Sequence, residues 1–223
     1  MSDFRRARQP EQINHRRDSL LAAARELFDT EGPAGAGLNA IAARAGFTKS
    51  NVYRYFESRE DVLLALFLAE YDQFSDEANQ NILAQPSGDT SMVAEALASC
   101  FLRQPRCCQL MSIFATVLEQ NVSETRIEAV KRHLAVRTEI LVSALTMRLP
   151  GATREDCAWA VAMISSLVAG MWPGVRPSSS AAAVMAKPEF AHMLLYAERD
   201  LARAIAALLT SIAINSLRDS SKT

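Results

Sequence analysis

The chain of 223 residues is long enough for one or two compact domains, and its 49% hydrophobic and 22% charged residues are ordinary for a folded globular protein. This composition is rich in alanine, leucine, arginine and glutamate and lacks strand-type alternation, so it excludes a largely disordered chain and favours an all-α fold. The net charge of −1 conceals a mildly basic front, with ten Lys/Arg and eight Asp/Glu in residues 1–60, and we expect any polyanion to bind there.

The front of the chain predicts a helix-turn-helix. Apolar residues recur with helical spacing from Leu20 to Phe28, and Gly32-Pro33 then ends this first helix. A second, short helix ends at Gly46, and the stretch TKSNVYRYF of residues 48–56 forms the third. Two short helices joined at a glycine are typical of a helix-turn-helix. We expect this domain to occupy residues 14–60, after a flexible basic arm in residues 1–13.

The rest of the chain predicts a second, helical domain over residues 61–216. A fourth helix begins at Ser58 with a capping sequence and continues to about Gln80, and no Gly/Ser-rich linker separates it from the front. Further helices are predicted at about 91–103, 105–119, 123–148, 153–172 and 189–216. The segment from Pro173 to Pro188 is predicted to be a loop, with or without a short helical turn, and residues 217–223 a flexible tail.

The third helix carries side chains that are suited to DNA. Val52 and Phe56 lie one turn apart and are expected to face a small core, while the hydroxyl of Thr48 is expected to cap the first turn. The side chains then expected to point outward are Lys49, Ser50, Asn51, Tyr53 and Arg54, with Tyr55 at the edge. Cations bind phosphates and small polar groups bind base edges. A capped amphipathic helix with a solvated face would show the same pattern.

A longer match favours DNA binding over a merely solvated helix face. Residues 16–67, RRDSLLAAARELFDTEGPAGAGLNAIAARAGFTKSNVYRYFESREDVLLALF, resemble the N-terminal domain of the TetR family of bacterial transcriptional regulators. The matching pieces are AAARELF in the first helix, IAARAGFTKSNVYRYF across the helix-turn-helix and SREDVL at the start of the fourth helix.

The resemblance implies an all-α protein in which an N-terminal three-helix helix-turn-helix DNA-binding domain is joined through a long helix to a C-terminal helical ligand-binding and dimerisation domain. It implies a homodimer whose two recognition helices enter successive major grooves of a near-palindromic operator in double-stranded DNA.

The resemblance also implies roles for single residues. Carried over by position, the residues expected to approach base edges are Lys49, Ser50 and Tyr53. Those expected to bind phosphates are Thr48, Asn51, Tyr55 and Arg59, the last at the position of a common family lysine. The sequence departs from the family at Gly37, where a threonine usually opens the second helix, and at Ser50, which replaces a frequent glycine.

The C-terminal half is expected to dimerise through its last two long helices, as the resemblance implies. The last helix carries an apolar seam formed by Ala197, Leu201, Ile205, Leu208 and Ile212. Helix 153–172 carries small residues that permit close helix–helix approach. A hairpin of the same two helices within one chain would show an identical pattern.

Family C-terminal domains usually bind a small effector, and the candidate pocket residues here are large or soft side chains on the central helices. They are Met111, Phe114, Leu118, Trp159, Met163 and Trp172. Their apolar character predicts a small, mostly apolar effector, although side chains of this kind at helical spacing can equally fill a core.

The remaining signals predict no cofactor and no metal. The four cysteines lack CxxC and zinc-finger spacing, and the three histidines are scattered. A structural role is favoured for the adjacent Cys107 and Cys108, although the sequence leaves a thiol switch open. The N-terminus lacks the apolar run of a signal peptide, and the longest apolar stretch falls short of the ~20 residues of a membrane span, so we expect a cytoplasmic protein that does not bind a membrane.

The leading hypothesis is therefore a transcriptional repressor that a small effector releases from its operator. One alternative is a TetR-like helical protein that acts without DNA through protein partners. Another is a helical enzyme, which we do not expect because no GxSxG, P-loop, HExxH or Rossmann glycine pattern is present.

Overall fold

The computed structural model describes the backbone of residues 3–220 and the side chains of residues 12–213. Over this range the chain is helical and contains no strand, as the composition predicts. The α-helices are α1 (Asp3–Gly35), α2 (Leu38–Arg44), α3 (Lys49–Val52), α4 (Arg59–Leu83), α5 (Thr90–Arg103), α6 (Pro105–Ser112), α7 (Glu124–Arg148), α8 (Arg154–Val175), α9 (Ser179–Met185) and α10 (Ala197–Ser220). A π-helical turn (Phe114–Leu118) follows α6, and a 3₁₀ segment (Pro188–Met193) follows α9.

The chain divides into two compact units. The first unit contains residues 1–69 and 114–130, and the second contains residues 70–113 and 131–223. The division therefore falls inside α4. The π-helical turn and the start of α7 fold with the helix-turn-helix, although they come from the middle of the chain.

A small apolar core holds the first unit together. Leu20, Ala24 and Phe28 lie on one face of α1, as their spacing predicts, and each is at most 2% exposed. Other buried side chains of this unit include Ile41, Val52, Phe56, Leu63, Leu66 and Leu118. Burying one large apolar side chain contributes roughly 1.5–3 kcal/mol, so this cluster contributes strongly to the stability of the unit.

Helix α1 begins earlier than the sequence predicts. It begins at Asp3 instead of near Asn14, because the N-terminal stretch lacks the apolar face that reveals a helix although its arginines and glutamines favour one. Gly32 has φ +71° and ψ −170°, a conformation that glycine adopts readily and that breaks the helix there. The side chains of residues 1–11, which make up most of the expected flexible arm, lie outside the described ones.

In the second unit α10 packs against α5 and α8, and α6 packs against α8. Three residues of the predicted apolar seam, Leu201, Ile205 and Ile212, are at most 2% exposed. Leu209 is fully buried as well, whereas Leu208 is only half-buried. The seam of α10 therefore packs within the chain, against α5 as well as against α8, the helix with which the sequence left an intrachain hairpin open.

Helix α8 is apolar on two faces and buried on one. Thr153 caps it: the hydroxyl accepts a hydrogen bond from the Asp156 backbone N–H at 3.1 Å, and the Asp156 carboxylate accepts one from the Thr153 N–H at 3.1 Å. By length and composition α8 could cross a membrane, since its most apolar 18 residues have a mean hydropathy of 1.5. In this structure 28% of those residues are buried. The outward face carries Ala158, Trp159, Ala162 and Met163.

The segment after α8 is more ordered than a plain loop. Helix α8 continues through Pro173 to Val175, and Ser178 caps the short helix α9 by accepting a hydrogen bond from the Ala181 N–H at 3.3 Å. The last helix begins at Ala197 instead of near residue 189, because the preceding residues form the 3₁₀ segment. Its backbone is helical to Ser220, and residues 221–223 of the expected flexible tail lie outside the described part.

Candidate nucleic-acid interface

The turn between α2 and α3 depends on the backbone of one glycine. Gly46 has φ +72°, in the left-handed region that favours glycine. The Phe47 N–H donates to the Ala42 carbonyl at 2.8 Å and the Gly46 N–H donates to the Ala43 carbonyl at 3.2 Å, which closes the end of α2. At the other end, Gly37 occupies the N-cap position and has no side chain to cap α2.

Helix α3 is a single turn that is anchored by two buried side chains. Val52 is fully buried and Phe56 is 2% exposed, as predicted. The expectation that the Thr48 hydroxyl caps α3 is wrong, because this hydroxyl makes no capping hydrogen bond. The Asn51 N–H instead donates to the Thr48 carbonyl at 2.9 Å, so a backbone carbonyl satisfies this N–H at the start of α3.

The opposite side of this turn presents polar and aromatic side chains. Lys49 and Ser50 are exposed, Tyr53 is 52% exposed, and Asn51 and Tyr55 are half-buried. The Lys49 Nζ atom lies 5.7 Å from the centroid of the Tyr53 ring, within the range of a cation–π interaction. The Tyr53 ring is therefore held at the surface, where a partner can reach it.

Arg59 begins α4 next to this surface. Its Nη2 and Nε atoms donate to Glu60 Oε1 at 2.7 and 3.0 Å. A guanidinium has five N–H donors, so this pair leaves donors that can reach a phosphate. The capping sequence predicted at Ser58 also forms, since the Ser58 hydroxyl accepts a hydrogen bond from the Asp61 N–H at 3.1 Å.

Four residues hold the turn that follows α3, and we call them the turn clasp: Glu57, Asp61, Ser123 and Arg126. The sequence indicates Asp61 only as part of the cap of α4 and does not indicate the other three. Asp61 accepts hydrogen bonds from Arg126 Nε at 2.6 Å and from the Glu57 N–H at 3.0 Å. The Glu57 carboxylate accepts one from the Ser123 hydroxyl at 3.1 Å and one from the Ser123 N–H at 3.3 Å. Asp61 is only 4% exposed. No periodic pattern connects Glu57 and Asp61 with Ser123 and Arg126, because the paired positions are 65 or 66 residues apart in the chain.

The residues predicted to line an effector pocket are divided between the two units. Phe114 and Leu118 belong to the first unit. There the ring of Phe114 packs against that of Phe67, with their centroids 5.2 Å apart, and Leu118 is fully buried. These two side chains contribute to the core of the first unit.

The other four predicted pocket residues lie in the second unit. Met111 and Trp172 are buried, at 8% and 5% exposure. Trp159 and Met163 are 46% and 37% exposed, so their predicted place in a pocket is not observed. They lie on the outward face of α8, because the opposite face packs into the core of the unit.

The described part of the second unit contains small apolar cavities, among them two of about 10 Å³ each. The first is lined by residues that include Phe74, Phe101, Leu145, Val161 and Ile164. The second is lined by residues that include Val168, Trp172 and Leu201. Each has room for about one water molecule. A larger ligand would require the lining side chains to move.

The cysteines are buried and unpaired. Burial raises the pKa of the Cys108 thiol to about 12 and raises that of Cys107 well above its ordinary value. Both thiols are therefore protonated near neutral pH and are poor nucleophiles. Among the described residues, no group of three or more His, Cys, Asp or Glu side chains could hold a metal ion.

These features define a class of protein: an all-α protein with an N-terminal helix-turn-helix and a helical C-terminal domain. Two family descriptions match the chain. "Bacterial regulatory proteins, tetR family" matches residues 20–66, and "Tetracyclin repressor-like, C-terminal domain" matches residues 68–213. The chain belongs to the TetR family of bacterial transcriptional regulators, which confirms the resemblance seen in the sequence.

Individual relatives agree with this assignment. An uncharacterized HTH-type transcriptional regulator of Mycobacterium tuberculosis is 49% identical over 43 residues, which are 19% of this chain and 21% of the relative. SmeT, the repressor of the Stenotrophomonas maltophilia multidrug efflux pump SmeDEF, is 26% identical, with a TM-score of 0.53 over 87% of this chain and 89% of SmeT. A transcriptional regulator from Rhodococcus sp. Rha1 is 18% identical, with a TM-score of 0.58 over 89% and 96% of the two chains. This last similarity shows the fold.

Proposed function

We propose that the protein binds double-stranded DNA sequence-specifically and regulates transcription from a near-palindromic operator. The observation that supports this best is the division of α3 and its following turn into two sides. Val52 and Phe56 anchor the turn in the core, while Lys49, Ser50 and Tyr53 remain exposed. A surface that offers a cation, a hydroxyl and an accessible ring within one turn is suited to the major groove.

We assign the base-edge contacts to the most exposed residues of this surface, Lys49, Ser50 and Tyr53. The proposed phosphate contacts are Thr48, Asn51, Tyr55 and Arg59. The Thr48 hydroxyl makes no capping hydrogen bond, and Arg59 has N–H donors that Glu60 does not use, so both side chains are available to bind a phosphate.

Tyr53→Ala tests the assignment. Loss of the exposed ring is expected to weaken binding to a selected operator duplex by ~1–3 kcal/mol, with little loss of stability because the ring is 52% exposed. Fluorescence anisotropy measures the affinity. The matched control is Tyr196→Ala, which removes a tyrosine of 49% exposure from the second unit and should leave DNA binding unchanged. Equal affinities of Tyr53→Ala and the parent would contradict the assignment.

We propose that the protein acts as a homodimer and that α8 supplies part of the interface. Its outward face carries Trp159 and Met163 beside the small residues Ala158 and Ala162. Monomeric soluble proteins rarely leave such a continuous apolar face in water. Small residues allow a second helix to approach closely, so the same face of a second copy fits this surface.

We propose that a small, mostly apolar effector controls DNA binding from the second unit, and that the protein is a cytoplasmic repressor. The apolar linings of the two cavities in this unit support an apolar ligand. The similarity to SmeT, which is named as a repressor, supports repression. Screening apolar compounds for release of the operator duplex tests the proposal, and compounds that only bind without release would contradict it.

A further inference from the structure

An open cleft of about 360 Å³ lies beside the recognition helix within the first unit. Arg17 of α1 and Arg126 of α7 contribute to its lining from outside α2 and α3, and Tyr53, Arg54 and Tyr55 contribute from the turn that follows α3. Water occupies about 30 Å³ per molecule in the liquid, so the cleft has room for a phosphate group and its hydration.

The charges in the cleft favour an anion. Its two carboxylates belong to the turn clasp. Asp61 accepts a hydrogen bond from Arg126 at 2.6 Å, and Glu57 accepts one from the hydroxyl of Ser123 at 3.1 Å. Arg17 and Arg54 have no carboxylate partner among the described side chains. The lining therefore carries three guanidinium groups and two carboxylates, a net charge of +1, and no described carboxylate engages Arg17 or Arg54.

Arg17 is also held in place. Its guanidinium carbon lies 5.6 Å from the centroid of the Phe56 ring, and Phe56 is only 2% exposed. A cation–π contact occupies none of the five N–H donors of a guanidinium, so those donors stay available to an oxygen acceptor. Arg17 itself is half-buried, so it loses little side-chain entropy when it binds an oxygen acceptor.

We propose that this cleft binds a phosphate of the operator backbone, with Arg17 and Arg54 as the phosphate ligands. The inference rests on the proposed DNA-binding function, since Tyr53 and Tyr55 line the same cleft and are proposed DNA contacts. A guanidinium binds phosphate through parallel N–H donors, an arrangement that lysine cannot reproduce. Arg17 thereby extends the DNA contacts from the helix-turn-helix to α1. Free phosphate has the same chemistry and is the other source of ligand.

The test is the salt dependence of binding to an operator duplex selected from a random library. Arg17→Gln and Arg54→Gln are each compared with Arg16→Gln, the matched control. Arg16 is exposed on the same helix as Arg17 and does not line the cleft. Loss of one phosphate contact lowers the slope of log K against log salt by about 0.9. The fall in affinity between about 50 and about 200 mM salt should therefore be roughly 3.5-fold smaller for Arg17→Gln, and unchanged for Arg16→Gln.

Each outcome is decisive. A smaller slope for Arg17→Gln or Arg54→Gln with an unchanged slope for Arg16→Gln supports the proposal. Arg54 is exposed, so its variant answers the question even if Arg17→Gln fails to fold. Parental slopes in both cleft variants would overturn the proposal and leave the proposed function intact, whereas a parent that binds no duplex would overturn both. Binding of inorganic phosphate by the parent alone, with unchanged slopes on DNA, would overturn the assignment to the operator backbone.

Discussion

The turn clasp makes a direct prediction about the stability of the first unit. Arg126→Gln removes the cation that faces Asp61, whose side chain is 6% exposed, while that of Arg126 is 24% exposed. Removing one partner of a buried ion pair costs about 3–5 kcal/mol. Here the Glu57 N–H still donates to Asp61 and solvent reaches the arginine, so we expect a loss of roughly 2–3 kcal/mol in the free energy of unfolding.

Urea denaturation followed by far-UV circular dichroism measures this loss. The control is Arg154→Gln, which breaks the pair with Glu139, where both side chains are at least 50% exposed and we expect a cost of at most about 0.5 kcal/mol. Combining Arg126→Gln with Asp61→Asn should recover part of the loss, because the buried charge is then removed. A cost for Arg126→Gln equal to that of the control would refute the reasoning.

Two further predictions concern α8 and the buried thiols. Trp159→Glu is expected to shift the dimer toward monomer in sedimentation experiments. The control Val136→Glu, at a site on α7 that is 65% exposed, should not. Equal effects of the two variants would contradict the proposed interface. The Cys108 thiol should resist alkylation at pH 8 until the protein is unfolded. Because its pKa is about 12 in the folded protein against an ordinary 9.0, it should stabilise the fold below pH 9, and this stabilisation should be lost as pH rises from 9 toward 12. The free energy of unfolding should fall over that range less in Cys108→Ala than in the parent; equal falls would refute the pKa argument.

Much of the fold could be predicted from the sequence, because local residue patterns indicate many of its helices. The apolar face of α1 near Leu20 and Phe28, the glycine turn at Gly46 and the anchor pair Val52 and Phe56 all follow from spacing over a few residues. The predicted ranges of α5 and α7 differ from the observed ones by no more than a residue at either end. Local patterns of this kind do not depend on the rest of the chain.

What escaped prediction depends on tertiary packing. The same helical spacing is compatible with a buried or an exposed face, so Trp159 on α8 could not be distinguished from a pocket residue. The pairing of Asp61 with Arg126 joins positions 65 residues apart, and many other pairings of arginine and aspartate are equally compatible with the sequence. The membership of residues 114–130 in the first unit is likewise a property of packing.

Selection of a random duplex library on the purified full-length chain tests the central claim most directly. The proposed function predicts enrichment of a near-palindromic sequence whose half-sites are separated by about 10 bp, one helical turn, or a multiple of it. Enrichment should be weaker with Tyr53→Ala and unchanged with Tyr196→Ala. Recovery of no preferred sequence by the parent, at a salt concentration where it binds duplex DNA, would contradict sequence-specific recognition by this helix-turn-helix.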